Sequence, residues 1–293
     1  MRVFYHSDLD GEASAACLLY ALPDRDDITV SPINYNIHFP IETIGEDEEV
    51  YILDFSLQEE GMWSRLLERT SNVVWIDHHE RTIRENEEIA HLRGIRRWEI
   101  DGRLVANCEL ACGYFNLAED IPHGIFLIGD FDCWRLSRPD ESKNFVAGLV
   151  TMYDTRPIRG GFVWDTIILD DNRSWIADVC RNGERIIAKK NISNAQDLES
   201  FGFEVEIEGL RGLCVNCNHA GSDFFKSRAE GYDVLVPIVF DGAQWTVGLY
   251  APPGGADVDL SEIAFRFGGS GHRGAAGFQC KELPFRIIGR LNG

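Results

Sequence analysis

Val73-Val74-Trp75-Ile76-Asp77-His78-His79 sets four apolar residues directly ahead of a carboxylate and two imidazoles. A continuous apolar run of this length reads as a buried strand of a parallel sheet. Imidazole is a common transition-metal ligand, and a carboxylate beside it suits hard divalent ions such as Mn²⁺. The arrangement recurs three times. Val3-Phe4-Tyr5 runs into His6-Ser7-Asp8-Leu9-Asp10-Gly11, Val50-Tyr51-Ile52-Leu53 into Asp54, and Ile125-Phe126-Leu127-Ile128-Gly129 into Asp130-Phe131-Asp132. Ligands of an open parallel sheet bind outside the carboxyl ends of its strands. Four acid-bearing strand ends therefore converge on one edge, and only a cation makes that concentration of charge tolerable.

Helical patterns lie between these strands. Residues 12–22 are rich in Ala and Leu and stop at Pro23, residues 57–70 carry Met62, Leu66 and Leu67 among charges, and residues 107–117 precede the run ending at Asp130. The alternation predicts an α/β fold whose N-terminal parallel sheet is flanked by helices. Residues 42–49 and 81–88 are charge-dense and read as solvated surface. Residues 174–190 have apolar positions at helical spacing and predict a connecting helix that ends before Asn191-Ile192-Ser193-Asn194. Beyond it, strands are expected at 203–207, 212–215, 234–240 and 245–250, with a turn at Asp241-Gly242, a loop at Pro252-Pro253-Gly254-Gly255 and a short helix over 260–267. The expected organisation is a catalytic domain over 1–170, a connecting helix over 171–194, and a smaller α/β domain with a mixed sheet over 195–293. No internal repeat or low-complexity tract interrupts it.

Composition narrows the function. A chain of 293 residues with 44% hydrophobic content has enough apolar material for two packed domains. Its formal net charge of −20, from 48 acidic against 28 basic side chains, repels long polyanions and argues against binding long duplex DNA. A short phosphorylated ligand stays compatible, because bound divalent cations reverse the local sign. No signal-peptide pattern opens the chain, and no apolar stretch approaches the roughly 18 residues of a membrane span. Eight scattered cysteines read as reduced thiols, so a cytoplasmic location without membrane contact is expected. Cys214 and Cys217 form a CxxC, but Asn218 rather than His follows it, with His219 next, and no second ligand pair stands nearby. It reads as two thiols on a buried strand.

Each candidate site residue has a plainer reading beside the chemical one. Asp8 and Asp10 would point to opposite faces of a straight strand. Where Gly11 lets the chain turn, both face one ion pair, or else they cap the helix that follows. Asp54 is a metal ligand or the cap of the helix over 56–70. Asp77-His78-His79 is sharper, since two imidazoles after a strand and a carboxylate are hard to read as surface decoration. Asp130 repeats the pattern. The role of Asp132 stays open, and Trp134 and Arg135 are candidates to floor or anchor a ligand. In the segment 268–277, GGSGHRGAAG, glycines let backbone amides approach an anion and His272 and Arg273 add donors. The alternatives there are a flexible loop or a tightly packed turn.

These motifs resemble the DHH phosphoesterase superfamily over nearly the whole chain. His6-Ser7-Asp8-Leu9-Asp10-Gly11 resembles its first motif, Asp54 its second, Asp77-His78-His79 the third that names it, and Asp130 its fourth. The glycine-rich segment resembles the signature of the DHH-associated C-terminal domain. The domain pairing is similar to that of oligoribonucleases (nanoRNases) and nucleoside 3′,5′-bisphosphate phosphatases. The resemblance implies two divalent cations, usually Mn²⁺, with Mg²⁺ or Co²⁺ as alternatives. His6 and Asp8 would hold one ion, Asp10, His78 and Asp130 the other, and Asp54 would bridge. Two departures stand out. In several branches a His stands four residues before the first Asp, where this chain has Phe4. The C-terminal strand that in many relatives carries an Arg toward the substrate here reads Gly248-Leu249-Tyr250-Ala251.

The function so implied is hydrolysis of short oligonucleotides or small phosphorylated nucleotides by a two-metal-activated water. Asp54, Asp77 and His79 would serve catalysis. His79 with Gly269, Ser270, Gly271, His272 and Arg273 would hold the substrate in a cleft between the domains. Hydrolysis of phosphoanhydrides, as by pyrophosphatases and exopolyphosphatases of the superfamily, is the alternative reaction. A non-catalytic nucleotide-binding or scaffold protein is the alternative of another class, and the full set of ligands argues against it.

Overall fold

Two compact units, Met1–Ile186 and Ile187–Gly293, make up the protein, whose computed structural model describes residues 1–35, 37–218, 220–255 and 257–291. His219, beside the CxxC, lies outside the described residues. The first unit opens with β1 (Arg2–His6), α1 (Leu9–Ala21), β2 (Thr29–Ile33), β3 (Val50–Leu53), α2 (Met62–Arg69), β4 (Val73–Ile76) and α3 (Glu80–Glu85). The strands form one parallel sheet in the order β2-β1-β3-β4. Pairing ends at His6–Ile33, Tyr5–Leu53 and Leu53–Ile76, which brings all four carboxyl ends to one level. Every residue of β3 and β4 is buried, as expected of strands covered on both faces. Phe4, Ile52 and Trp75 share a cluster on one face with Trp63 and Leu66 of α2, while Val3, Tyr5, Leu53 and Val74 pack with Leu18 of α1 and Leu110 on the other.

The fourth expected strand end is corrected. After a two-stranded ribbon, β5 (Glu99–Ile100) with β6 (Arg103–Leu104), come α4 (Asn107–Tyr114) and α5 (His123–Asp132), and the run 125–129 is the middle of α5. Ile125, Leu127 and Ile128 are fully enclosed by Ala106, Ile167 and their neighbours. A helix buried on most sides carries the same continuous apolar run as a buried strand, so the pattern cannot separate them. The strand that completes the sheet is β2, Thr29-Val30-Ser31-Pro32-Ile33, whose mixed composition hid it. Pro32 is tolerated because β2 is an edge strand.

The unit continues with α6 (Pro139–Met152), α7 (Phe162–Trp164) and the start of the 29-residue α8 (Arg173–Phe201), whose remainder from Ile187 belongs to the second unit. α8 does not end before Asn191. Asn and Ser cost a helix only tenths of a kcal/mol each, roughly, too little to stop one. It ends where Gly202 follows Phe201, with the Gly202 N–H donating to Leu198 O. α2 is shorter than the expected 57–70, because Gly61 ahead of it takes a left-handed conformation, φ +73°.

The second unit is a mixed seven-stranded sheet of β7 (Phe203–Ile207), β8 (Leu210–Asn216), β9 (Val234–Phe240), β10 (Trp245–Tyr250), β11 (Ser270–His272), β12 (Ala275–Cys280) and β13 (Arg286–Arg290), with α9 (Leu260–Arg266) against it. The order is β11-β12-β10-β9-β8-β7-β13, with β8 and β9 parallel and the other pairs antiparallel. The turn at Asp241 forms as expected, its Oδ1 accepting from the N–H groups of Ala243 and Gln244. The glycine-rich segment is an ordered hairpin: a Cβ on Gly269 would lie 2.1 Å from the Gly277 carbonyl oxygen, so the strands approach closer than any side chain allows. Cys214 is buried in β8, Cys217 is half-buried, and the eight cysteines are free thiols. Among the described residues, no helix is long and apolar enough to cross a membrane.

Candidate active site

The carboxyl ends of β1, β3 and β4 gather the site. The chain leaves β1 through His6 and turns at once into α1, which Gly11 permits, since a Cβ there would sit 2.1 Å from the His6 carbonyl oxygen. Asp8 caps α1, its Oδ1 accepting from the Gly11 N–H at 2.9 Å. Its other oxygen, Oδ2, lies 2.6 Å from His6 Nδ1. The capping reading and the site reading thus hold for one side chain. His6 Nδ1 also faces Asp54 Oδ2 at 3.8 Å, whereas Phe4 is core, packed on Phe39 at 4.8 Å between ring centroids. Of the two positions, His6 is the one that faces the carboxylates.

Asp54 does not cap a helix, because the next one along the chain begins only at Met62. It holds a left-handed backbone, φ +57°, and is 1% exposed. Strain of this kind persists where surrounding structure demands it, and it concentrates at functional sites. Asp54 Oδ1 lies 3.2 Å from His78 Nε2, which also faces Asp132 Oδ2 at 3.5 Å and Asp10 Oδ2 at 3.6 Å. The opposite nitrogen of His78, Nδ1, sits 3.1 Å from the Val105 carbonyl, which places the ring proton on Nδ1 and turns Nε2 toward the carboxylates. Asp77 Oδ1 accepts from both the N–H and Nδ1 of His79, at 3.1 and 2.8 Å, and fixes that ring as well. Asp10 is buried in the first turn of α1, where its two oxygens accept the Asn107 and Cys108 N–H groups at the start of α4.

Asp130 is the exception among the expected ligands. Its Oδ1 accepts from the N–H and hydroxyl of Ser137, and its Oδ2 from the Ser142 hydroxyl and the Arg138 N–H, at 2.5 to 3.3 Å. A carboxylate has about four lone-pair positions, and these four donors fill them. Burial alone would raise its pKa, but the two serines and the backbone amides hold it down to about 2. Asp130 is thus an internal brace of α5, and Asp132, two residues on, is the α5 carboxylate that reaches His78. Arg135 is likewise structural, donating to Glu109 at 2.6 Å and to the Leu104 carbonyl at 2.7 Å. Trp134 is 61% exposed, with the Lys143 ammonium 5.1 Å from its ring centroid. In the second unit, Gly269, Ser270, Gly271, His272 and Arg273 lie together on the β11–β12 hairpin, where Arg273 pairs with Asp257 at 2.6 Å.

The electrostatics of the cluster are unbalanced. Burial, then the charge of Asp54, pushes Asp10 up to about 7; burial, then the charge of Asp10, does the same to Asp132. Burial raises Asp54 despite contacts from His6 and His78. His6 is pushed up to about 10 by Asp54 and Asp8. His78 is raised further, the desolvation that opposes its charge being outweighed by Asp54 and Asp10. His79 is raised because Asp77 outweighs burial. Among the described residues, protons on these imidazoles are the positive charge that the cluster itself supplies to so many carboxylates. Yet Asp54 Oδ1 and His6 Nδ1 are buried without a hydrogen bond, even where a neighbour stands at 2.6 or 3.2 Å. Buried ligand atoms this close together, with no aligned hydrogen bond, are open to a further partner. Two groups, His6-Asp8-Asp54 and Asp54-His78-His79, bring their ligand atoms within 4.8 Å of one another and have Asp54 in common; His78-Asp132-Cys133 is a third. The donor set fits divalent cations.

Sequence reasoning left Asp132 undecided and missed Tyr35. The alternation Asp130-Phe131-Asp132 gave no way to choose without knowing that the segment is helical. Tyr35 follows β2, the strand hidden by its composition, and stacks on Phe55 beside His6.

No family model matches the chain. At 22% identity it aligns with oligoribonuclease NrnB of Bacillus subtilis strain 168, over 98% of this chain and 74% of that protein. A pGpG-specific phosphodiesterase from Vibrio cholerae matches its structure with a TM-score of 0.55 at 12% identity, over 96% of this chain and 93% of that one. The DHH domain of a protein described as a member of a ribosomal-protein family matches with a TM-score of 0.59 at 13% identity, over 99% and 83%. The fold is that of the DHH proteins, as the motifs led us to expect.

Proposed function

We propose that the protein is a divalent-cation-dependent phosphohydrolase that cleaves short oligonucleotides or small phosphorylated nucleotides. One observation carries this reading: Asp8, Asp10, Asp54 and Asp132 converge with His6 and His78 while buried ligand atoms of Asp54 and His6 lack hydrogen bonds. Small-nucleotide specificity draws support from the oligoribonuclease and pGpG phosphodiesterase that the chain resembles. The acidic surface favours a short ligand over a long duplex.

His6, Asp8 and Asp54 would hold one cation, and Asp10, Asp54, His78 and Asp132 the other. Mixed carboxylate and imidazole donors suit Mn²⁺, with Mg²⁺ and Co²⁺ as alternatives. Cations bound there lower the pKa of water and stabilise the attacking and leaving oxygens of an in-line displacement. The α4 amides and the Val105 carbonyl hold Asp10 and His78 in place, so no rearrangement is required of them during the reaction. Asp77 fixes the proton of His79 on Nδ1 and raises its basicity, which suits His79 to meet charge on the phosphoryl oxygens or to protonate the leaving oxygen. For the exposed hairpin we propose anion binding by the His272 and Arg273 side chains, with Gly269, Ser270 and Gly271 leaving room for the anion to approach the backbone; the Gly269 N–H itself donates to Ala264 O at 2.9 Å.

The test is chelator-stripped protein reloaded with Mn²⁺ and offered pApA, di- to pentanucleotides, pyrophosphate and polyphosphate. Mononucleotide release that depends on metal is the expected result. Cleavage of no member overturns the reading, and phosphate release from pyrophosphate or polyphosphate alone assigns the anhydride reaction instead.

A further inference from the structure

Tyr35 stands at the end of β2, the one strand end in the sheet that delivers no acid. Its ring stacks on the buried Phe55 with centroids 4.7 Å apart and planes inclined at 27°, and it lies 5.5 Å from the His6 ring. Phe55 directly follows Asp54, so the ring supporting Tyr35 is built on the same turn as the proposed bridging carboxylate. Tyr35 nevertheless remains 41% exposed. An aromatic ring with one face backed by core and substantial area left in water is a stacking surface, since every nucleobase presents a π-face.

The loop that carries the ring is fastened to the site rather than to the surface. Asn34 Nδ2 donates to Ser7 Oγ at 3.0 Å, and Ser7 lies between His6 and Asp8. Asn34 Oδ1 accepts from the Tyr35 N–H at 2.8 Å, and the Ile37 N–H donates to Asn34 O at 2.9 Å. The Ser7 N–H in turn donates to Ile33 O at 3.0 Å. These bonds tie the position of the Tyr35 ring to that of the first-motif ligands. A platform so tied orders a base without a large further entropy cost.

We propose that Tyr35 is the base-stacking residue of the active site, holding the nucleobase of the nucleotide that flanks the scissile phosphate on the His6–Asp8 side. The assignment rests on the phosphohydrolase reading above and narrows it: the site selects substrates bearing a base next to the cleaved bond, over base-free phosphodiesters and phosphoanhydrides. Stacking contributes binding, so its loss raises KM more than it lowers kcat.

Two measurements on the full-length protein test it. The first compares KM for a dinucleotide and for the same molecule with one base removed, in wild type, Tyr35→Leu and Tyr35→Phe. Loss of one stacked base is worth about tenfold or more in affinity. Tyr35→Leu is expected to narrow the preference for the complete dinucleotide about tenfold, and Tyr35→Phe to restore it to within about twofold. The second follows 2-aminopurine fluorescence of a dinucleotide in Ca²⁺, where quenching reports stacking and no turnover is needed. Quenching by wild type and Tyr35→Phe but not by Tyr35→Leu is expected. Turnover with no Tyr35-dependent preference and no Tyr35-dependent quenching overturns the stacking role and leaves the hydrolase reading standing. Tyr35-dependent quenching without turnover of any substrate does the reverse.

Discussion

Two carboxylates two residues apart on α5 have opposite surroundings. Asp130 receives four hydrogen bonds and is held down to about 2. Asp132 faces Asp10 and His78, has no comparable set of donors among the described residues, and is pushed up to about 7. The first pocket is complete as folded, and its charge contributes to stability. The second sets Asp132 against Asp10 with His78 as the cationic neighbour, and on the proposed function a bound cation supplies the remaining charge. The difference teaches that the count of acids near a strand end does not identify a metal ligand. What identifies it is the count of donors left over for each acid.

Breaking the unfinished side should give the largest effect. Asp54→Asn removes the carboxylate common to two of the ligand groups, and a loss of several kcal/mol of transition-state stabilisation lowers kcat/KM by about a thousandfold or more. Steady-state kinetics at saturating Mn²⁺ check this, and full turnover by the variant removes the bridging role. Asp132→Asn should weaken Mn²⁺ binding about 10- to 100-fold in calorimetry. Its melting temperature without metal should be equal or higher, because one member of a repulsive cluster is gone.

Asp130→Asn is the matching change on the finished side. It takes the charge from an acceptor of two hydroxyls and two amides, so a loss of about 2 kcal/mol in stability is expected by denaturant unfolding. Mn²⁺ affinity should change far less than in Asp132→Asn. Reversal of that ranking would return Asp130 to the ligand set and refute the contrast.

Proton competition sharpens the same comparison. Asp10 and Asp132 are raised, so without metal they hold protons up to about pH 7. Metal binding must displace those protons. Apparent Mn²⁺ affinity should therefore rise by about tenfold or more from about pH 6 to pH 7, with proton release measurable in buffers of different ionisation heat. It should keep rising above about pH 8, because His6 and His78 are raised as well and must also release protons. Asp130 behaves oppositely. Its pKa is depressed, so its stabilisation is fully present above the unfolded value near 3.9 and is lost as pH falls through about 2. Wild type should lose melting temperature more steeply between about pH 4 and pH 2 than Asp130→Asn does, the smallest of these effects.

Much of the site was legible because its residues follow one another along the chain. His6 and Asp8 share a turn, Asp77-His78-His79 is contiguous, and β1, β3 and β4 announce themselves by unbroken apolar runs. A strand covered on both faces has little choice but to be apolar, and the turn after it must sit at the edge where the strand ends. The run before Asp130 failed for the same reason the others succeeded: burial on all sides writes one composition for helix and strand alike. β2 failed because an edge strand needs neither an apolar run nor an N–H at Pro32.

The sequence by itself determined the class of fold, the acidic character of the surface and the kinds of ligand present, since these follow from residue chemistry and from periodicity within a few positions. Only the tertiary structure decided that Asp132 rather than Asp130 joins His78 and that Tyr35 stands beside them. Each of those outcomes depends on donors or rings brought from distant positions, such as Ser142 to Asp130 and Phe55 to Tyr35. A carboxylate's role is set by what surrounds it in space, and the packing of helices and strands, not the order of residues, chooses those surroundings.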